Sequence, residues 1–191
     1  WSAYGIDNGV FSSISSINAI AAIGTDVYVA GSFQDANRDP RMDYLIRWDG
    51  SAWNPVGNVA QTYGSINNSV TAIAVDGTDL YVAGYFTTAY NEGVSVSASR
   101  IAKWDTLTET WSALGAGIST GSVLVLAVDS SHNLYAGGGF TDANSIPEAD
   151  YIAMWNGSAW SALAGNGSGG GALVGGAVNA IALNGTTVYV G

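Results

Sequence analysis

The chain has 191 residues, only 10% of them charged, and its 15 acidic against 5 basic side chains give a formal net charge of −10. A nucleic-acid groove or a patch for anionic membranes needs a basic stripe, and Arg38, Arg41, Arg47, Arg100 and Lys103 are too few and too scattered to form one. The absence of cysteine removes disulfides, thiolate metal sites and thiol catalysis, and no apolar run reaches the ~18 residues of a membrane-spanning helix.

Taken in order, the chain opens on Trp1-Ser-Ala-Tyr-Gly5, which matches Trp111-Ser-Ala-Leu-Gly115 and so reads as the last strand of a repeat, with a linker to residue 16. Repeats follow at 17–57, 70–115 and 123–163, and 178–191 begins a further one. Their opening residues Ile17, Val70, Val123 and Val178 are spaced by 53, 53 and 55, and Tyr28, Tyr81, Tyr135 and Tyr189 by 53, 54 and 54. All seven tryptophans fall in two slots: Trp48, Trp104 and Trp155 in one, Trp1, Trp53, Trp111 and Trp160 in the other. A regular period of this length decides the fold before any other feature does.

Each repeat predicts four short strands. The first is exemplified by Val70–Val75 and the second by Leu80–Gly84, joined by Asp76-Gly77-Thr78-Asp79, where glycine admits a positive φ. The third ends on a tryptophan, as in Tyr44–Trp48, and the fourth starts on the next, as in Trp53–Gly57. Asp49-Gly-Ser-Ala52 and Asn156-Gly-Ser-Ala159 supply the turns between them. Polar alternation is weak in the first two strands, as in sheets buried on both faces. Four antiparallel strands per ~50 residues predict an all-β chain, a β-propeller of three full blades plus one split or incomplete blade. Ala19, Ala21, Ala72, Ala74, Ala180 and Ala182 suit a crowded inner rim, and the tryptophans suit the wider gap between blades.

At the ends the pattern leaves two readings open. The N-terminal strand closes a ring with the C-terminal pair, or the chain is a window cut from a longer array, which the break inside a strand pattern favours. Terminal strands left unpaired would invite self-association with another chain, whereas ring closure would hide those edges.

The elements [VI]-x-x-[IL]-A, [VL]-Y-[VA]-x-G and W-[DN]-G-S-A-W, with the text VAGYFTTA…RIAKWDTLTETWSALG, resemble the tandem repeats of secreted bacterial β-propeller proteins. These are related in architecture to kelch and galactose-oxidase-like propellers and similar to repeats of fungal cell-polarity surface markers. The resemblance implies an extracellular or cell-surface protein, bacterial or archaeal, multi-repeat and non-catalytic, with a structural, adhesive or protein-binding role. The copper–radical chemistry of galactose oxidase does not carry over, because its essential cysteine has no counterpart.

Candidate sites follow from the loops. Asp35, Asn37, Asp39 and Asp43, with Asp142, Asn144, Glu148 and Asp150 at similar positions of the third repeat, place oxygens at alternate residues as calcium ligands do, and equally as ordinary turns do. Tyr63, Tyr85 and Tyr90 could stack on sugar rings, so a glycan competes with a protein as ligand. His132 reads as a surface turn residue; Asp129 and Ser130 beside it are turn neighbours, not a triad. Sequons occur at Asn67, Asn156, Asn166 and Asn184. The variable loops 34–43, 87–99 and 141–150 would carry specificity.

Overall fold

The computed structural model describes residues 16–57, 60–163, 171, 173 and 175–191. The strand expected at Trp1–Gly5, the linker through residue 15 and the sequon at Asn166 lie outside the described residues.

Among the described residues the expected strands form, most with ends shifted by a residue or two and the last repeat's first strand starting at Ile181 and not Val178. The first repeat gives β1 (Ile17–Ile23), β2 (Asp26–Gly31), β3 (Leu45–Trp48) and β4 (Trp53–Pro55). The second gives β5 (Val70–Asp76), β6 (Asp79–Gly84), β9 (Ile101–Asp105) and β10 (Thr110–Ala113), with β7 (Thr88–Asn91) and β8 (Val94–Ser97) between β6 and β9. The third gives β11 (Val123–Val128), β12 (Leu134–Gly138), β13 (Ile152–Trp155) and β14 (Trp160–Ala162), and β15 (Ile181–Asn184) pairs with β16 (Thr187–Val190). Among the described residues these make three four-stranded antiparallel sheets and two hairpins. The β7–β8 hairpin occupies a stretch that the sequence marks only as a loop. No helix among the described residues is long and apolar enough to cross a membrane.

Local chemistry explains each turn. Ile23 faces Asp26, Asp76 faces Asp79 and Asn184 faces Thr187, so these hairpins close over two residues. Glycine comes first in each, at φ of 60°, 59° and 59° for Gly24, Gly77 and Gly185. The outer hairpins are closed by side chains instead. Asp49 Oδ1 accepts the N–H groups of Ser51 and Ala52 at 2.8 Å each, and Asn156 Oδ1 does the same for Ser158 and Ala159 at 3.0 and 2.9 Å. Flanking them, Trp48–Trp53, Trp104–Trp111 and Trp155–Trp160 pair across strands at centroid distances of 5.4, 5.2 and 5.6 Å.

A second device recurs at the opposite end of each sheet. Gly31, Gly84 and Gly138 end the second strand, and a β-carbon there would stand 2.0, 2.1 and 2.0 Å from the carbonyl oxygens of Ser16, Ser69 and Ser122. Each of those carbonyls accepts a hydrogen bond at 2.9 Å from the residue after the glycine, Ser32, Tyr85 or Gly139. The register slips by one residue just inside this clamp in all three sheets, a β-bulge. Two residues beyond the glycine, Phe33, Phe86 and Phe140 are 1%, 0% and 0% exposed. Their carbonyls accept from Tyr44, Arg100 and Tyr151, which all lie in the left-handed region at φ of 64°, 61° and 62°.

The sheets stack through their first strands: β1 lies beside β5, β5 beside β11, and β11 beside β15. Asn18 Nδ2 donates to the Val70 carbonyl at 2.7 Å, and Thr71 Oγ1 donates to the Val123 carbonyl at 2.6 Å. Each sheet has two unlike faces. Val70, Leu80, Val82, Trp104 and Trp111 turn to the sheet before, where they meet Tyr28 and Ala30. Ala72, Tyr81 and Ala83 turn to the sheet after, where they meet Val123, Leu126, Trp155 and Trp160. Small residues plus one tyrosine therefore receive a bulky aromatic and aliphatic face. Ala180 and Ala182, expected at a crowded rim, are exposed, because no described sheet follows the last hairpin.

The clamp is testable. Gly84→Ala should destabilise the chain by about 1–3 kcal/mol, because the backbone itself must yield. Phe86→Ala should cost about 3–5 kcal/mol through loss of a fully buried ring. Urea unfolding followed by tryptophan fluorescence measures both.

Candidate functional site

The meander sends the β2–β3 type loops and the inter-sheet connections to one end of the sheets and the hairpin turns to the other. All eleven sequence-predicted site residues fall at the first end.

The first and third of these loops are built alike. Each contains a short 3-10 turn, Ala36–Arg38 or Ala143–Ser145, around a buried alanine. Asp35, Asn37 and Arg38, like Asp142, Asn144 and Ser145, have φ between 48° and 63°. Short polar side chains tolerate this conformation best, so the acid–amide alternation meets a backbone requirement as well as any ligand's. Asp43 Oδ1 accepts the Asp35 N–H at 2.8 Å, and Asp150 Oδ1 accepts that of Asp142 at 2.9 Å, so the last carboxylate closes the loop. The next connection packs onto that carboxylate: a β-carbon on Gly64 or Gly171 would lie 2.8 Å from the β-carbon of Asp43 or Asp150. Burial pushes the Asp43 carboxyl up.

Asp39 is held by Arg41, whose Nε donates to both carboxylate oxygens at 2.9 and 3.1 Å; the guanidinium holds Asp39 below its usual range. Asn144 reaches to the preceding sheet's connection, accepting from the Ala116 N–H at 2.8 Å. Glu148 is half-exposed on the third loop. Among the described residues, no three His, Cys, Asp or Glu side chains converge.

The second repeat departs from this construction. Between Asn91 and Val94 the chain turns through Glu92 and Gly93, both at positive φ (48° and 87°), and the β7–β8 hairpin results. Ile66 bridges Ala89, and Asn67 Oδ1 accepts the N–H groups of Thr87 and Thr88 at 2.9 and 3.1 Å. The sequon at Asn67 is thus also a structural clasp. Asn91 then treats β10 as a strand would: its Oδ1 accepts the Trp111 N–H at 2.7 Å, and its Nδ2 donates to the Trp111 carbonyl at 3.0 Å. The hairpin therefore shields the edge strand of its sheet.

Of the three tyrosines, the structure brings Tyr63 and Tyr90 together, edge to face at 5.2 Å and 77°. That contact leaves Tyr63 41% exposed and Tyr90 half-buried, and Tyr85 stands 50% exposed at the end of β6. Val94, at the hairpin tip, is 68% exposed.

Between the sheets lie two clefts that the sequence reading missed. One, of about 360 Å³, opens between the second and third sheets beside Asp76, Asp79, Tyr81, Lys103, His132 and Trp155. Lys103 Nζ donates to Asp79 at 2.8 Å, and burial, then the nearby aspartates, push the Tyr81 phenol up to about 12. His132 does not join Asp129 and Ser130 in a catalytic arrangement; its Nδ1 lies 2.6 Å from Asp76 Oδ1 of the preceding repeat. The other cleft, of about 420 Å³, lies between the first two sheets, with Arg47, Trp104 and Glu92 in its lining. Arg47 pairs there with Asp26 at 3.4 Å, the counterpart of the Lys103–Asp79 pair. The repeated text Asp-x-Tyr in the second strand and Arg/Lys-Trp in the third carried this signal.

Scanned against known protein families the chain matches none, and a search of curated proteins finds no match.

The His132–Asp76 contact, then the field of the same carboxylate, raises the His132 pKa. The contact is therefore fully formed below the ordinary histidine value of about 6.5 and is lost as pH rises through the higher folded value. An NMR titration should place His132 above a free histidine, and Asp76→Asn should return it; an unchanged titration in that variant would refute the pairing. Asp49 and Asp105 run the opposite way. Turn N–H groups depress both, so their contribution holds at neutral pH and fades as acid carries the solution down through the folded values.

Proposed function

We propose that the chain is a non-catalytic interaction module of β-propeller architecture, or a section of such a propeller, from an extracellular or cell-surface protein. The side-by-side stacking of first strands, the four-stranded meanders and the unlike faces of successive sheets all support a propeller. The low charge and the abundance of Gly, Ser, Thr and Asn support an extracellular setting.

One observation carries the binding assignment. The first and third loops share a construction, while the second replaces it with a hairpin whose tip exposes Val94 at 68% and whose Tyr90 carries the 41% exposed Tyr63 ring. A rigid, repeated scaffold with one divergent loop is where recognition is expected. Tyrosine presents a large contact surface at low entropic cost, suited to a protein surface or to the apolar face of a sugar ring.

The experiment is a glycan array, run in parallel with binding to extracellular protein extracts, using wild type, Tyr63→Ala and Val94→Asp. The expected result is binding that falls at least tenfold in both variants while their melting temperatures stay within a few degrees. Binding that survives both substitutions moves recognition off the hairpin. A glycan signal erased by chelator and by Asp35→Ala with Asp39→Ala would instead support calcium-assisted carbohydrate binding through the first loop. Turnover of any array ligand would refute the non-catalytic reading.

A further inference from the structure

The tyrosine of the second strand recurs along the chain, and its hydroxyl does not meet the same fate in each sheet. In the third sheet Tyr135 donates to Asp129 of its own repeat at 3.1 Å. The counterparts of that pair in the second sheet are Tyr81 and Asp76. There Asp76 turns instead to the following sheet, where its Oδ1 lies 2.6 Å from His132 Nδ1. Tyr81 is 4% exposed, yet among the described residues its hydroxyl has no hydrogen-bond partner. A polar group this deeply placed is almost always satisfied, so its position calls for a partner from outside the chain. The phenol lines the cleft of about 360 Å³ between the second and third sheets. The fields of Asp79 and Asp76, which line the same cleft, both reach its oxygen.

The rest of the lining defines what fits. The volume lies at the low end of small-ligand pockets, about 300–1,000 Å³. Trp155, 8% exposed, supplies an aromatic wall. Lys103 Nζ carries three donors and spends one on Asp79 at 2.8 Å. The carboxylates of Asp79 and Asp76 keep lone pairs beyond their contacts with Lys103 and His132. Both already face a basic side chain, so an added ion would have to displace one. A neutral vicinal diol displaces nothing. Each of its hydroxyls donates to a carboxylate and accepts from Lys103 or Tyr81, while the C–H face of its ring lies on the indole.

We propose that this cleft is a saccharide subsite for one neutral sugar ring, free or at the end of a glycan, contacted by Tyr81, Asp79, Lys103 and Trp155. His132 closes the rim by holding Asp76. The site shares no residue with the β7–β8 hairpin, so it stands or falls apart from recognition there. A single ring held in this way binds with roughly millimolar affinity, too weakly for retention on an array, so the test is made in solution.

Indole and backbone N–H signals are followed by NMR during titration with the methyl glycosides of glucose, galactose and mannose. Wild type, Tyr81→Phe and Tyr135→Phe are compared. In wild type at least one glycoside should shift the Trp155 indole and the Lys103 amide saturably. Tyr81→Phe should weaken that binding at least tenfold at an unchanged melting temperature, because the lost hydroxyl holds nothing inside the chain. Tyr135→Phe should keep the binding and lower the melting temperature, since it breaks the bond to Asp129. The absence of any saturable shift at tens of millimolar glycoside overturns the proposal and leaves the cleft to water. So does full binding by Tyr81→Phe, or tighter binding of acetate or ethylammonium chloride than of every glycoside. Once a glycoside binds, a disaccharide that binds at least as well supports the end of a glycan, and one that is shut out supports a free sugar. Loss of array binding through the hairpin leaves these shifts in place, so the two readings fail separately.

Discussion

A carbonyl oxygen lying where a β-carbon would have to stand is the constraint on which the rest of this structure depends. Ser16, Ser69 and Ser122 press their carbonyls against Gly31, Gly84 and Gly138 at distances no side chain permits. The approach sets the bulge at the start of the first strand and the register of the first two strands. It also fixes the direction in which the chain leaves the sheet. From there the backbone enters the buried Phe33, Phe86 or Phe140 and returns through a left-handed residue into the third strand. Three loops of different content begin and end on the same stem.

Such a stem explains how the loops diverge without disturbing the sheets. Asp43 and Asp150 each close their own loop, while Asn67 of the preceding connection clasps the second one. Four of the five basic residues are spent likewise. Arg47 and Lys103 line inter-sheet clefts against aspartates, Arg41 holds Asp39, and Arg100 donates to the carbonyls of Ile118 and Ser119. A net charge of −10, with four of the five cations paired or bonded, suits a surface that repels polyanions.

The unlike faces give the stack a direction. Bulky residues always look back to the preceding sheet and small ones forward, so a sheet cannot be reversed without placing tryptophan against tryptophan and leaving alanine against alanine. Side-chain pegs from Asn18 and Thr71 reinforce the order. The third sheet lacks a peg, since Leu124 occupies that position. Apolar burial of Val178 at 3% exposure holds the last hairpin there instead.

The repeat, the strands and their turns were legible in the amino-acid sequence because they rest on local chemistry that recurs at fixed spacing: tryptophans at strand ends, glycine in two-residue turns, Asp or Asn closing the outer hairpins. The β7–β8 hairpin was half legible. Glu92-Gly93 between alternating Thr88–Asn91 and Val94–Ser97 is a turn signal, hidden because the other repeats have nothing like it. The left-handed positions before the third strand were not legible, since Tyr44, Arg100 and Tyr151 are bulky residues that seldom adopt this conformation and are forced there by the returning chain. The two clefts and the His132–Asp76 contact were equally hidden, for they join residues from different sheets. In the loops, Asp35 and Asn37 served two readings at once, ligand and turn, and only the tertiary structure assigned their torsions. Local sequence thus determined the elements and their order, because hydrogen bonding and turn geometry act over a few residues. Which faces meet, which carboxylates are engaged and which surfaces stay open was decided by packing across ~50 residues, which no single repeat contains.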